Sequence, residues 1–266
     1  MAATKENPII FYDVASKDGS YWSCNTIKTR LTLNYKGLPY RVQYIHLNEV
    51  QSALKSLGVP PASKTPPYYT LPTIADPSSD PNGEPTYVSE TFAISAYLDD
   101  KYPAPGYPTV FTPGTRPLQR LFVDNFAANI GGPLFQLFIR PYFPQKYLTE
   151  AALDYLLRSR STTVATYAHL KGDEATNKLV EVRRKWETLA EAFNLNGTEG
   201  STGPFMMGNK ITFADFAVGG MLFALNRAEG DDGQVWQEVM KWSDGKWSGY
   251  WKEIKDIKDE KSAQLA

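Results

Sequence analysis

Ser23 and Cys24 stand side by side where a short apolar run, Ile9-Ile10-Phe11-Tyr12, gives way through a polar loop to a helical pattern. The stretch Ser20-Tyr21-Trp22-Ser23-Cys24-Asn25-Thr26-Ile27-Lys28-Thr29-Arg30 crosses that junction, and Ile27, Leu31 and Tyr35 recur at the spacing of one helix face. The first N–H groups of a helix have no partner within it, and the dipole there is positive. A hydroxyl at this place can donate a hydrogen bond to an anion. Ser23 or Asn25 can also simply cap the helix, and both roles can hold at once.

Two further constellations carry similar chemistry. In Thr70-Leu71-Pro72-Thr73-Ile74 a proline opens a strand, where an X-Pro bond that is cis turns its neighbour's backbone outward for pairing. In Val88-Ser89-Glu90-Thr91-Phe92-Ala93-Ile94 a strand runs into a helix. One reading is a Ser or Thr cap with an acid in the first turn. The other is a pocket for a zwitterion, with free N–H groups and Thr91 on the carboxylate and Glu90 on the ammonium.

The elements that must position these residues are legible as well. Between Met1 and Pro105 the expected order is β-α-β-α-β-β-α: strands at Ile9–Tyr12, Arg41–Leu47, Leu71–Ala75 and Thr86–Val88, with helices at Asn25–Tyr35, from Asn48 to Leu57, and from Phe92 to Tyr102. Eight of the 19 prolines fall between Pro60 and Pro85, which reads as loops and short strands. A connector, Ala104–Pro117, leads into helical patterns at Leu118–Ile130, Glu150–Leu170, Asn177–Asn194 and the very apolar Thr212–Arg227. Val235–Ile257 carries four Trp but is otherwise polar, and reads as shorter helices wrapping the surface. The expected division is an α/β domain over 1–105 and an all-helical domain over 106–266.

Composition removes several classes. The 266 residues carry 28 Lys plus Arg against 29 Asp plus Glu. Met1–Pro105 holds 9 basic and 10 acidic residues, so neither half is a polycation, and a nucleic-acid partner is not expected. One cysteine excludes an internal disulfide and a multi-cysteine zinc site, and two distant histidines, His46 and His169, do not suggest a metal. No secretion signal or membrane-length run is seen, so the Asn196-Gly197-Thr198 sequon reads as chance and the expected location is the cytoplasm.

The element order, the proline before the third strand, the S-E-T at the last α/β helix and the helical second half resemble a cytosolic glutathione transferase over nearly the whole chain. Ile211-Thr212-Phe213-Ala214-Asp215 adds a capping-box pattern ahead of a very apolar helix. The segment FYDVASKDGSYWSCNTIKTRLTLNYKGLPY is most similar to the etherase-related, serine-type branch of wood-decaying fungi. In that branch a serine, often followed by proline, precedes a helix ending R-x-x-L. Counting back seven from Arg30 reaches Ser23, and Cys24 falls at the proline's place, a departure that opens the possibility of separate thiol chemistry.

The resemblance implies a thioredoxin-like domain binding glutathione as co-substrate, followed by an all-α domain. It gives Ser23 the catalytic role, donating to the glutathione sulfur so that the thiolate, the nucleophile, is favoured. Leu71, before a cis Pro72, pairs with the cysteinyl backbone. Glu90 and Thr91 hold the γ-glutamyl end, and Lys64, or else Lys28, meets the glycyl carboxylate, while His46 ends a strand. A hydrophobic acceptor site lined by Phe122, Phe126 and Tyr21 is expected. Phe135, Phe138, Tyr142 and Phe143 extend the aromatic stretch as core or further lining. The implied activity is conjugation of small aromatic electrophiles in xenobiotic detoxification, by a homodimer, with no metal. Two alternatives stay open: a ligandin that sequesters hydrophobic aromatics with little Ser23-dependent turnover, and a glutathione-dependent ether-cleaving or thiol-reducing enzyme, the last requiring Cys24.

Overall fold

Two strands, one a largely apolar run and one alternating with Arg41 and Gln43, flank the first helix and lie side by side. Ile9–Val14 (β1) and Tyr40–Ile45 (β2) pair in parallel from Ile9↔Tyr40 to Val14↔Ile45. A parallel pair needs a crossover, and Thr26–Lys36 (α1) supplies it. Gly37 ends α1 at φ 64°, a left-handed conformation that glycine adopts without a Cβ penalty, and the Leu38 N–H returns to the Leu33 carbonyl at 3.1 Å. Leu47–Glu49 forms a 3-10 turn and Val50–Ser56 the short α2. Thr73–Asp76 (β3) then runs antiparallel to β1, Thr86–Ser89 (β4) antiparallel to β3, and Thr91–Lys101 (α3) follows. The strand order is β2-β1-β3-β4, the α/β arrangement expected from the sequence with one extra 3-10 turn. These are the coordinates of a computed structural model, which describes residues 3–80, 83–138, 142–159, 172–196, 202–260 and 262–265.

The period-two alternation of β1 divides the burial. Ile9 and Phe11 join Leu33, Tyr40, Ile74, Ile94 and Leu98 on one face of the sheet. Ile10 and Tyr12 turn to the other, with Ile45, Val50, Leu54 and Ala75. Lys36 is fully buried at the end of α1. Its Nζ donates to Asp99 at 2.8 Å and to the Pro108 carbonyl at 2.7 Å, while the Thr109 hydroxyl also donates to Asp99. The proline-rich connector is therefore tied down by a buried pair, of the kind that is costly to break from one side.

The helices that follow are Arg116–Phe126 (α4), Gly132–Phe138 (α5), Tyr142–Tyr147 (α6), Glu150–Ser159 (α7), Gly172–Asn194 (α8), Phe213–Glu229 (α9) and Gln234–Asp259 (α10), with a π-helical segment, Ala127–Gly131, between α4 and α5. The chain forms two compact units. One comprises Met1–Thr109, Gln145–Ser161 and Ile257–Ala266, the other Val110–Pro144 and Thr162–Asp256. The first unit thus takes in two segments from the helical half of the sequence, α7 among them.

In the second unit α9 is central, with every residue from Phe213 to Gly220 buried, as its apolar sequence led us to expect. A Cβ on Gly219 would stand 2.8 Å from Ile254 Cγ2, so glycine permits the close approach of α10. Thr212 and Asp215 form the expected capping box. The expectation of a surface-wrapping C-terminal segment is corrected: Trp236, Trp242, Trp247 and Trp251 are all buried. The charges that make this segment polar occupy the other face. A break at Trp242–Gly245, with Ser243, Asp244 and Gly245 left-handed, splits α10 and lets both halves turn Trp inward. Trp247 meets Trp186 edge-on at 4.7 Å. Of the sequence expectations, the helix beyond Ser159, His169, Gly197-Thr198 of the sequon and the side chains of Tyr142 and Phe143 lie outside the described residues.

Candidate active site

Strand direction gathers the three constellations at one end of the sheet. Because Tyr12 pairs with Thr73, the start of β3 lies beside the end of β1. Because Thr73 pairs with Ser89, the end of β4 lies there too. The loop after β1, the Leu71-Pro72 step and the start of α3 therefore share that edge. His46, which follows β2, lies at the same end, its Nδ1 buried and without a hydrogen-bond partner among the described residues.

The loop after β1 is held by its own polar groups and by a distant segment. Asp18 accepts from the Ser20 N–H at 3.0 Å and the Ser20 hydroxyl at 2.6 Å. The Lys17 N–H donates to the Tyr147 carbonyl at 2.8 Å, and the Trp22 ring stacks on Tyr147 at 5.6 Å with the planes 2° apart. Val14, Leu148 and Ala152 form a buried cluster with Trp22, Leu47, Leu71 and Leu153 packed against it. So Tyr147 at the end of α6, Leu148, and Ala152 of α7 support the loop, although they follow it by more than a hundred positions.

Ser23 lies just before α1. Its Oγ accepts from the Asn25 N–H at 3.2 Å and the Thr26 N–H at 3.4 Å, and its carbonyl accepts from the Ile27 N–H at 3.2 Å. The capping and anion-binding readings coexist in this geometry. With its lone pairs on two amides, the hydroxyl still has its proton to donate, and among the described residues no acceptor takes it. Asn25 makes no side-chain cap. Cys24 is half-buried and in no disulfide.

The Leu71-Pro72 peptide is cis, and the Pro72 carbonyl accepts from the Glu90 N–H at 3.2 Å. Beneath it Thr73 Oγ1 donates to the Thr70 carbonyl at 3.0 Å, so the 2.7 Å contact with Ser89 Oγ is a bond that Ser89 donates. Among the described residues, neither the N–H nor the C=O of Leu71 has a hydrogen-bond partner. A donor and an acceptor on one residue can pair with a peptide-like ligand as a neighbouring strand does.

Glu90 has φ 80°, a strained region for a residue with a Cβ, and its carboxylate caps α3, accepting from Phe92 at 3.1 Å and Ala93 at 3.0 Å. The Thr91 hydroxyl donates to the same carboxylate at 3.2 Å. A carboxylate at this place is the kind of group that pairs with an ammonium. The Ile94 N–H goes to the Glu90 carbonyl at 2.8 Å, which leaves the Thr91 N–H as the first-turn donor for a carboxylate.

The remaining residues of interest are scattered. Lys64 sits exposed in the loop between α2 and β3, and Lys28 reaches Asn25 Oδ1 at 3.0 Å. Tyr21 lies over the Arg30 guanidinium, 4.3 Å from its ring centroid, which gives that ring a cation to cover. Phe126 is only 2% exposed and closed in by Trp186 at 5.9 Å, whereas Phe122, stacked on it at 6.0 Å, is half-buried. Phe138 is core and Phe135 half-buried. Sequence reading missed the support from Trp22, Tyr147 and α7. It also missed a buried pair, Asp13 and Arg30, joined at 3.1 Å, whose signal was an acid inside an apolar strand and a cation on the Ile27 face of α1.

Residues 19–106 match the family model of the glutathione S-transferase N-terminal domain, and residues 117–256 that of the glutathione S-transferase C-terminal domain. A glutathione S-transferase-like protein of Aspergillus flavus is 27% identical over 259 residues, covering 94% of this chain and 91% of that protein. Two solved structures from wood-decay basidiomycetes are similar throughout. A glutathione S-transferase of Ceriporiopsis subvermispora, in complex with glutathione, superposes with a TM-score of 0.81 at 28% identity, covering 94% of this chain and 98% of its own. A glutathione transferase of Phanerochaete chrysosporium gives 0.80 at 26%, covering 94% and 97%. The C-terminal family model alone spans more than half of the sequence, and the chain belongs to the glutathione S-transferase family.

Proposed function

We propose that this protein is a serine-type glutathione transferase that conjugates glutathione to small hydrophobic, chiefly aromatic, electrophiles. The observation that carries the reading is the pairing of two unsatisfied features at one sheet edge: the Leu71 N–H and C=O, and the Ser23 hydroxyl proton. Leu71 would take the cysteinyl backbone of glutathione. The Thr91 N–H and the Glu90 carboxylate would take its γ-glutamyl carboxylate and ammonium, and Lys64, from its loop, the glycyl carboxylate.

Ser23 acts as a donor, not as a base. Two amides polarise its oxygen, which strengthens the O–H as a donor toward the sulfur, and the positive end of α1 adds to the field. Stabilising the anion lowers the thiol pKa, so the thiol proton leaves to water. The thiolate sulfur then forms a bond to the electrophilic carbon, and the leaving group departs with its electron pair. Leu118 and Leu121, each 67% exposed on α4, support a second copy covering that helix. The cytosol, rich in glutathione, is the proposed place of action.

Calorimetric titration with glutathione tests the binding part. The wild type should bind it, and Glu90→Gln, which removes the charge offered to the ammonium, should raise Kd roughly threefold to tenfold. An unchanged Kd in Glu90→Gln would remove the ammonium contact of the zwitterion pocket from the account.

A further inference from the structure

Arg30 is 1% exposed and is the meeting point of four parts of the first unit. From β1, Asp13 Oδ2 accepts from its Nη2 at 3.1 Å. From β2, Tyr40 OH lies 3.3 Å from Nη1, and Tyr44 stands nearby. From the loop before α1, the Tyr21 ring covers the guanidinium, and Lys258 lies over the same ring at 6.0 Å. From the segment Ser262–Leu265, Gln264 Oε1 accepts from Nη1 at 2.6 Å.

That last segment is seated, not draped. The Tyr40 N–H donates to the Ala263 carbonyl at 2.9 Å, and the Leu265 N–H to the Tyr40 carbonyl at 2.8 Å, a parallel bridge on the outer edge of β2. Ala263 is 2% exposed within the sheet core, and Asn34 Nδ2 donates to the Ile257 and Lys258 carbonyls.

Ser23 is straddled by residues held on the Asp13–Arg30 pair. Tyr21, two positions before it, stacks on the guanidinium. Thr26, three positions after it, gives its N–H to Ser23 Oγ, while its buried hydroxyl stands beside Asp13 and favours the carboxylate's charge without reaching full hydrogen-bond geometry. A shift of the guanidinium would move both flanks of the Ser23 turn.

We propose that Gln264 and Arg30 are positioning residues for the Ser23 hydroxyl, so that the segment Ser262–Leu265, seated on the edge of β2, is a working part of the glutathione site. This rests on the assignment of Ser23 above. Gln264 itself is exposed, and its side chain can be altered without opening the core.

The test compares wild type, Gln264→Ala and Gln264→Glu, with Tyr21→Leu as a second perturbation from the other flank. Each is read by the pKa of the bound glutathione thiol, from thiolate ultraviolet absorbance, and by glutathione Kd. Gln264→Ala and Tyr21→Leu should each raise the bound thiol pKa by roughly half a unit to one unit, lowering turnover near neutral pH about threefold to tenfold, with Kd within about twofold. Gln264→Glu keeps the acceptor for Arg30 and should restore wild-type behaviour. A thiol pKa unmoved in both Gln264→Ala and Tyr21→Leu overturns the proposal, as does a loss of Kd and melting temperature with no pKa change. If the wild type itself does not lower the thiol pKa, the assignment of Ser23 fails first, and the positioning role with it.

Discussion

Asp215 offers a quantitative test of how the second unit is held, through the substitution Asp215→Asn. Its carboxylate is fully buried and accepts from the Met206 N–H at 2.8 Å, the Thr212 N–H at 2.8 Å, the Thr212 hydroxyl at 2.9 Å and the Tyr250 hydroxyl at 3.2 Å. Burial pushes the carboxyl from 3.8 up to about 6, against the pull of those donors. The folded value lies above the unfolded one, so this group favours folding fully below its unfolded pKa and loses that contribution as pH rises through about 6. At about 1.4 kcal/mol per unit the total loss is about 3 kcal/mol, of which about 1 kcal/mol falls between about pH 5 and about pH 7. Asn cannot ionise. It also turns an NH2 toward one of the amide donors, but that penalty does not depend on pH. Urea unfolding of both proteins at the two pH values, with midpoints converted through the denaturant slope, isolates the titration. The stability advantage of wild type over Asp215→Asn should shrink by about 1 kcal/mol on going to the higher pH. An advantage that is constant, or that grows with pH, would refute the dominance of burial over hydrogen bonding at this carboxylate.

Glu90 supplies a second test, because its cap and its backbone strain oppose one another. Glu90→Ala loses both amide bonds and keeps the positive φ, whereas Glu90→Gly loses the bonds and relieves about 1 kcal/mol of strain, so Gly should unfold at higher urea than Ala, and the reverse order would contradict the backbone strain at this residue. Trp186 is fully buried against Phe126 and Trp247, so Trp186→Ala should cost roughly 3–5 kcal/mol in urea unfolding; a loss under about 1 kcal/mol would show that this aromatic cluster is not core.

The α/β order was readable because each strand is short, apolar or alternating, and bounded by turn residues, and because α1 ends on a clear stop at Gly37. The Leu71-Pro72 and Glu90-Thr91 steps were readable because they lie at element boundaries, where residue type and backbone role are tightly linked. The Thr212–Asp215 box was readable for the same reason. What supports the site was not. Tyr147, Leu148 and Ala152 act on the β1 loop across more than a hundred positions, and Gln264 reaches Arg30 across 234, separations at which local periodicity carries no information. The Trp-rich end was misread for a different reason. Averaging over α10 hides a buried aromatic face behind a charged one, whereas the break at Ser243-Asp244-Gly245, a turn-forming run, gives the shorter helices that were expected. Phe126 and Tyr21 were legible as aromatic, but sequence does not tell whether a ring faces a ligand, a Trp or a guanidinium.

The central claim is that the Ser23 hydroxyl stabilises the glutathione thiolate, and steady-state conjugation of a chromogenic aromatic electrophile by wild type and Ser23→Ala tests it most directly when glutathione Kd is measured on the same preparations. Removing one donor aimed at a developing anion should lower kcat roughly a hundredfold, with Kd within about threefold because the tripeptide backbone and γ-glutamyl end are held elsewhere. Wild-type turnover in Ser23→Ala, or a loss confined to Kd, would contradict the account.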